Sequence, residues 1–227
     1  SQALIAGCQA AIDDSQTTNS ANDRLRLLSL AERARSLAFG MDFAFLMDPA
    51  KRLLSIGYRV DTGKLDQSFY DLLASEARLA SLFAIAKGDL PNEHWFRLGR
   101  PVATLRARAI LLSWSGSMFE YMMPPLVMKE RIGGILHQSN TGAVRSQIDA
   151  SRRTGGLWGV SESAMNARDA QMNYQYYAFG VPELALKRVG RNDLVIAPYA
   201  TLLASQVAPR EAVQNLARLD ALGARGP

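Results

Sequence analysis

The sequence holds a single cysteine, Cys8, in 227 residues, so no internal disulfide can form. A lone thiol fits a reducing compartment, and no basic neighbour activates it. Histidine is as scarce, at His94 and His137 only. No cluster of zinc-ligand composition is therefore on offer, and neither a metal nor a cofactor is expected. No apolar run approaches the roughly 18 residues of a membrane span. The opening, Ser1-Gln2-Ala3-Leu4-Ile5, lacks the basic start of a signal peptide. Also missing are a glycine-rich phosphate loop, a serine nucleophile elbow and a dinucleotide fingerprint, which sets aside the chemistries those motifs serve. There is no Lys/Arg block either. The net charge of +5 is scattered along the chain. It reads as solvated surface, compatible with a position near anionic lipid and not with a nucleic-acid partner.

What is present suits a globular protein: 48% hydrophobic and 21% charged residues. Leu27, Leu30, Ala31, Ala34, Leu37 and Ala38 give a helical stripe over 24–38, with Asp23 as a possible cap and Gly40 as the stop. Short apolar runs around Asp48-Pro49 suggest a small β-hairpin within 43–60, and Asp61-Thr62-Gly63-Lys64 is a second turn. Ser68 to Lys87 reads as the clearest helix, ended by Gly88. A short helix before Pro124-Pro125, an amphipathic helix over 141–153, an aromatic-rich loop over 155–179, and a final helix pair split by Pro209 follow. No βαβ rhythm appears, so the fold class is mainly α. No linker interrupts the chain, which reads as a single domain.

Three carboxylates carry a physical reason for chemistry. Glu76 falls on the apolar face of the expected helix 68–87, where desolvation would raise its pKa as a general acid requires. The competing reading is a buried Glu paired to an Arg or a backbone group. Glu120 has Trp114, Phe119 and Tyr121 around it, as sugar sites do. Ser117 and Glu120 also have capping-box spacing, so Glu120 could simply close a helix N-terminus. Glu162 sits in the expected polar loop beside Gly155, Gly156 and Gly159, with a salt bridge or cap with Arg168 as the alternative. These residues recur at intervals of 44 and 42, about the length of a helical hairpin. They could therefore converge at one mouth of a helical toroid and supply the two carboxylates that glycoside cleavage needs. His94 and Trp95 could bind hydroxyls, or His94 could be a structural hydrogen-bonding residue. The Met118, Met122 and Met123 cluster reads as core packing.

Several segments together resemble the glycoamylase-like domain of cyclic β-1,2-glucan synthases, whose relatives include endo-β-1,2-glucanases. They are Ser68 to Ser81, Gly88 to Arg100, Ser113 to Pro124, Trp158 to Asp169, Tyr174 to Val181 and Asp193 to Thr201. Order and intervals agree as well, over about 40–222. The resemblance implies part of an (α/α)₆ barrel. It implies an enzyme that cuts linear β-1,2-glucan and rejoins its end on a 2-hydroxyl, with hydrolysis as the alternative outcome. A third alternative is a non-catalytic glucan-binding or assembly module. On this resemblance the acid/base role goes to Glu162 and the nucleophile role to Glu76, with Glu120 as the competitor for either. Tyr70, Asp71, His94, Trp95, Trp114, Tyr121 and Trp158 are the substrate-binding candidates.

The parent would be a large inner-membrane protein with this segment on the cytoplasmic side. A six-hairpin barrel needs roughly 350–400 residues. The chain opens without Met, and its last helical run is followed only by 223–227, so it reads as roughly the N-terminal half of such a barrel. The remainder of the parent polypeptide is then its partner. Alone, the segment would be inactive and could self-associate to cover apolar edges.

Overall fold

A computed structural model describes residues 21–105, 107–152, 155–187 and 194–224. Cys8 and the apolar stretch 3–12 lie outside the described residues. The chain divides into two compact units, 1–45 and 46–227.

In the first unit, α1 (Ala21–Gly40) includes the expected helical stripe. Asp23 stands inside its first turn and complements the helix dipole there; it does not precede the helix as a cap.

The second unit mixes helices with small antiparallel sheets, so the expectation of a mainly α chain is corrected. β1 (Met47–Asp48) and β2 (Leu53–Ser55) form the hairpin anticipated within 43–60, in register Met47↔Leu54. Its turn is built by Asp48, whose carboxylate accepts from the backbone N–H groups of Ala50 and Lys51. β3 (Tyr58–Arg59) and β4 (Lys64–Leu65) close around the second turn, where Gly63 has φ 64°.

β5 (Phe69–Tyr70) adds to the first sheet, pairing Leu54↔Tyr70 and Ser55↔Phe69. Its pairing overturns the reading of 68–87 as one helix. Backbone bonds to Gly99 at 2.6 and 2.9 Å keep residues 71–73 extended as well. The helix proper, α2 (Arg78–Lys87), starts ten residues later than expected and ends at Gly88, whose φ of 92° lets its N–H reach the Ala84 and Ile85 carbonyls. α3 (Glu93–Arg97) follows. β6 (Val102–Leu105) and β7 (Arg108–Leu111) form a hairpin that periodicity did not reveal.

The core lies where α4 (Met118–Met122), α5 (Ile135–Ser151), α6 (Pro198–Ala204) and α7 (Pro209–Ala221) meet β7. Met118, Met122, Val144, Leu184, Ala200, Ala204 and Ala212 are buried there. Alanines on α6 and α7 let those helices approach closely. The aromatic-rich stretch 155–179, expected as loop, instead holds β8 (Glu162–Arg168) paired with β9 (Tyr174–Ala178). Asp169 makes the turn by accepting from the N–H groups of Gln171 and Asn173. No helix among the described residues is long and apolar enough to cross a membrane.

Candidate active site

A cavity of about 490 Å³ opens in the second unit, lined by Tyr70, Asp71, Glu76, Trp114, Glu120 and Glu162 among others. Three separate stretches of sequence deliver its carboxylates, each by a different local device.

Glu76 sits on the turn between β5 and α2. The Ser75 hydroxyl accepts from the Ala77 N–H and lies 3.2 Å from the Glu76 carboxylate. Beneath the turn, Arg78 is 1% exposed. Its Nη1 donates to the Ser75 and Glu120 carbonyls at 3.0 Å, and its Nη2 donates to the Tyr121 carbonyl and Glu130 at 3.2 Å. Arg78 thus ties the Glu76 turn to α4 with its charge committed to Glu130, not to Glu76. Burial, and then the charges of Glu120 and Glu162, push the Glu76 carboxyl above the usual carboxylate range. The elevation foreseen from sequence is present, on a turn and not on a helix face.

Glu120 is 4% exposed. Its Oε2 accepts from the Ser113, Ser115 and Ser117 hydroxyls at 2.9, 2.5 and 2.9 Å and from the Ser117 N–H at 2.9 Å, while Oε1 accepts from the Ser115 N–H at 3.0 Å. With the Ser117 hydroxyl facing the Glu120 N–H, this is a complete capping box. The carboxylate organises the Ser113–Ser117 loop and leaves little acceptor capacity for substrate. Gly180 closes on this loop so tightly that a Cβ there would stand 1.8 Å from the Ser115 carbonyl oxygen.

Glu162 begins β8. Two amide side chains grip the segment before it. Gln147 on α5 accepts from the Gly159 and Val160 N–H groups and donates to the Val160 carbonyl. Asn215 on α7 accepts from the Trp158 N–H and donates to its carbonyl. Gly159 has φ 114° and lies so close to Thr201 that a Cβ would meet its hydroxyl at 2.8 Å. The Glu162 carboxylate accepts from the Tyr176 hydroxyl. Arg168 instead meets Tyr174, by hydrogen bond and over its ring, which replaces the anticipated Glu162–Arg168 pair.

Tyr70, Asp71 and Trp114 reach the cavity with these groups, and Trp114 is 60% exposed, available for stacking. Four candidates are not brought there. His94 is fully buried: its Nδ1 donates to the Arg52 carbonyl and its Nε2 faces the Ser81 hydroxyl, both at 2.9 Å. Trp95 packs half-buried against the core. The Tyr121 hydroxyl is spent on the Leu111 carbonyl at 2.8 Å, and Trp158 is core. All four have an apolar body that burial favours, and the polar atoms of His94 and Tyr121 are satisfied inside the protein. The sequence reading missed Arg78, Tyr176 and Tyr199. The alternation in Tyr174-Gln175-Tyr176 is a strand signal that could have found Tyr176. Among the described residues, no group of three or more His, Cys, Asp or Glu side chains is arranged to hold a metal ion.

The Glycoamylase family model, described as "Putative glucoamylase", matches residues 68–225. The chain is similar to the cyclic beta-(1,2)-glucan synthase NdvB of Rhizobium meliloti (strain 1021). The two are 59% identical over 225 residues, which is 98% of this chain and 8% of that protein. The chain thus spans a small fraction of that relative's length. A solved endo-beta-1,2-glucanase from Chitinophaga pinensis, in complex with sophorotriose and glucose, superposes with a TM-score of 0.63 at 14% identity, covering 88% of this chain and 50% of that one. At that identity the likeness concerns the fold.

Proposed function

We propose, from the premise that the chain belongs to the Glycoamylase family, that it carries the carboxylate pair of an enzyme that cuts and rejoins β-1,2-linked glucan. Support for this substrate comes from the names of its relatives, a cyclic beta-(1,2)-glucan synthase and an endo-beta-1,2-glucanase. Support for the chemistry comes above all from one observation: Glu76 and Glu162 line one cavity from opposite sides of the sequence, and Glu120 between them is consumed by its own loop.

The environments favour exchanging the two roles assigned from resemblance. Glu76, desolvated and facing other carboxylates, retains its proton to higher pH and is the better acid. Glu162 offers an oxygen, Oε1, that takes no hydrogen bond from any described residue. In the reaction, Glu162 Oε1 bonds to the anomeric carbon as the glycosidic C–O bond breaks, and Glu76 gives its proton to the departing 2-oxygen. The 2-hydroxyl at the other end of the same glucan then attacks. Its proton passes to Glu76, and the ester bond to Glu162 breaks. Trp114 and Tyr70 stack sugar rings and Asp71 accepts from hydroxyls.

The same reading makes the segment part of an (α/α)₆ barrel inside a larger inner-membrane protein, facing the cytoplasm and inactive by itself. In the full-length protein, Glu76→Gln and Glu162→Gln should each lower turnover of linear β-1,2-glucan by about 10³-fold or more. Cyclic products from the wild type fit rejoining; short linear products alone would assign hydrolysis. Cyclisation that survives both changes would leave a glucan-binding module as the better reading.

A further inference from the structure

Glu162 is held at both ends by phenols. On the β8–β9 hairpin, Glu162 pairs with Ala178 and Ala164 with Tyr176, so all four side chains share one face. Tyr176 is therefore the diagonal neighbour of Glu162, a spacing that aromatic side chains can bridge. The intervening Ala164 and Ala178 leave room for the ring to lean toward Glu162, and its hydroxyl donates to Oε2. From the first turn of α6, the Tyr199 hydroxyl lies 2.8 Å from the Glu162 carbonyl and 2.9 Å from Ser161 Oγ. Its single proton serves the carbonyl, and the Ser161 hydroxyl can donate back. Ser161 Oγ also accepts from the Phe119 N–H, which anchors this corner to α4.

We infer that Tyr176 and Tyr199 form a clamp that fixes the Glu162 carboxylate with Oε2 occupied, so that Oε1 alone is presented to the anomeric carbon. The inference rests on the proposed role of Glu162 and adds a positioning residue, Tyr176, that acts through it. A carboxylate free to rotate would spend time with neither oxygen in line, and fixing it recovers that loss. Partial desolvation around the hydroxyls first, and then the neighbouring Glu162, push both phenols above their usual range, so both remain protonated donors. The other ionisable groups lining the cavity are Glu76, Glu120, Asp71 and Tyr70.

The test is Tyr176→Phe in the full-length protein with linear β-1,2-glucan as substrate. The ring is largely exposed and Phe keeps its shape, so folding is preserved. The expected result is a roughly 10- to 100-fold fall in kcat with KM nearly unchanged. Tyr174→Phe, which loses a phenol on the same strand but one bonded to Arg168, should leave both readouts alone. Unchanged kcat in Tyr176→Phe, or a loss that appears mainly as a raised KM, overturns the clamp. If Glu162→Gln stays active, the failure lies in the role of Glu162 itself; if that variant is dead and Tyr176→Phe is normal, only the clamp fails.

Discussion

Glu120 and Glu162 line the same cavity, yet their surroundings are opposite. Glu120 gathers three serine hydroxyls and two backbone N–H groups, all from its own loop. Glu162 takes one phenol on one oxygen. A carboxylate whose lone pairs are filled by its own chain is a structural organiser, because any new partner must displace an existing one. A carboxylate with an open oxygen at a cavity wall can meet a reacting atom. Saturation, more than location, separates scaffold from chemistry in this cavity.

The sharpest way to break that contrast is Glu120→Gln. The amide keeps one acceptor oxygen and turns an NH₂ toward groups that mostly donate. Several buried hydrogen bonds to a charged acceptor are lost, at a cost on the order of 3 kcal/mol. The expected outcome is a large drop in denaturant midpoint. A soluble variant with unchanged stability and abolished turnover would instead move Glu120 into the chemistry.

Glu76→Gln should do the reverse. Because the folded-state pKa of Glu76 is raised, its protonated form suits the folded protein. Stability linked to this group is fully present below its ordinary value and declines as pH rises through the raised one. Removing the charge therefore makes the variant more stable than wild type at neutral pH, with the gap closing as pH falls toward the ordinary carboxylate range. Melting temperatures across that window check this. A variant less stable at every pH would mean that Glu76 is bound into structure as Glu120 is.

The carboxylates themselves were legible in the sequence because burial and aromatic neighbours leave a local mark. The capping box at Ser117 and Glu120, the Pro209 helix break and the hairpin at Asp48-Pro49 were legible for the same reason. Their settings were less so. Phe69, Leu72 and Leu73 fit a helical stripe, but Tyr70 is claimed by Leu54, and the Leu73 N–H by the Gly99 carbonyl. Tertiary pairing overrode a period that local sequence could not distinguish. His94, Tyr121 and Trp158 carry the amphipathic character of sugar-binding residues, and only the fold reveals that all three are buried, with the polar atoms of His94 and Tyr121 already satisfied. Arg78 left no mark at all, since its partners Glu120, Tyr121 and Glu130 lie 42 to 52 residues away.

The smallest expected effect concerns Trp114, which leaves the saturated Ser113–Ser117 loop and faces the cavity from it. Its backbone carbonyl is tied to the Lys187 N–H at 3.0 Å, so the loop holds the ring in place while the ring stays 60% exposed. An exposed indole on an ordered backbone costs little to hold and offers a flat apolar face, which suits stacking on a sugar ring. Trp114→Ala should therefore raise KM for linear β-1,2-glucan roughly threefold to tenfold and leave kcat and the melting temperature near wild type. A fall in kcat of the size expected for Glu76→Gln would mean that Trp114 contributes where bonds are made and broken. A lowered melting temperature would mean that the rigid loop depends on the ring it displays.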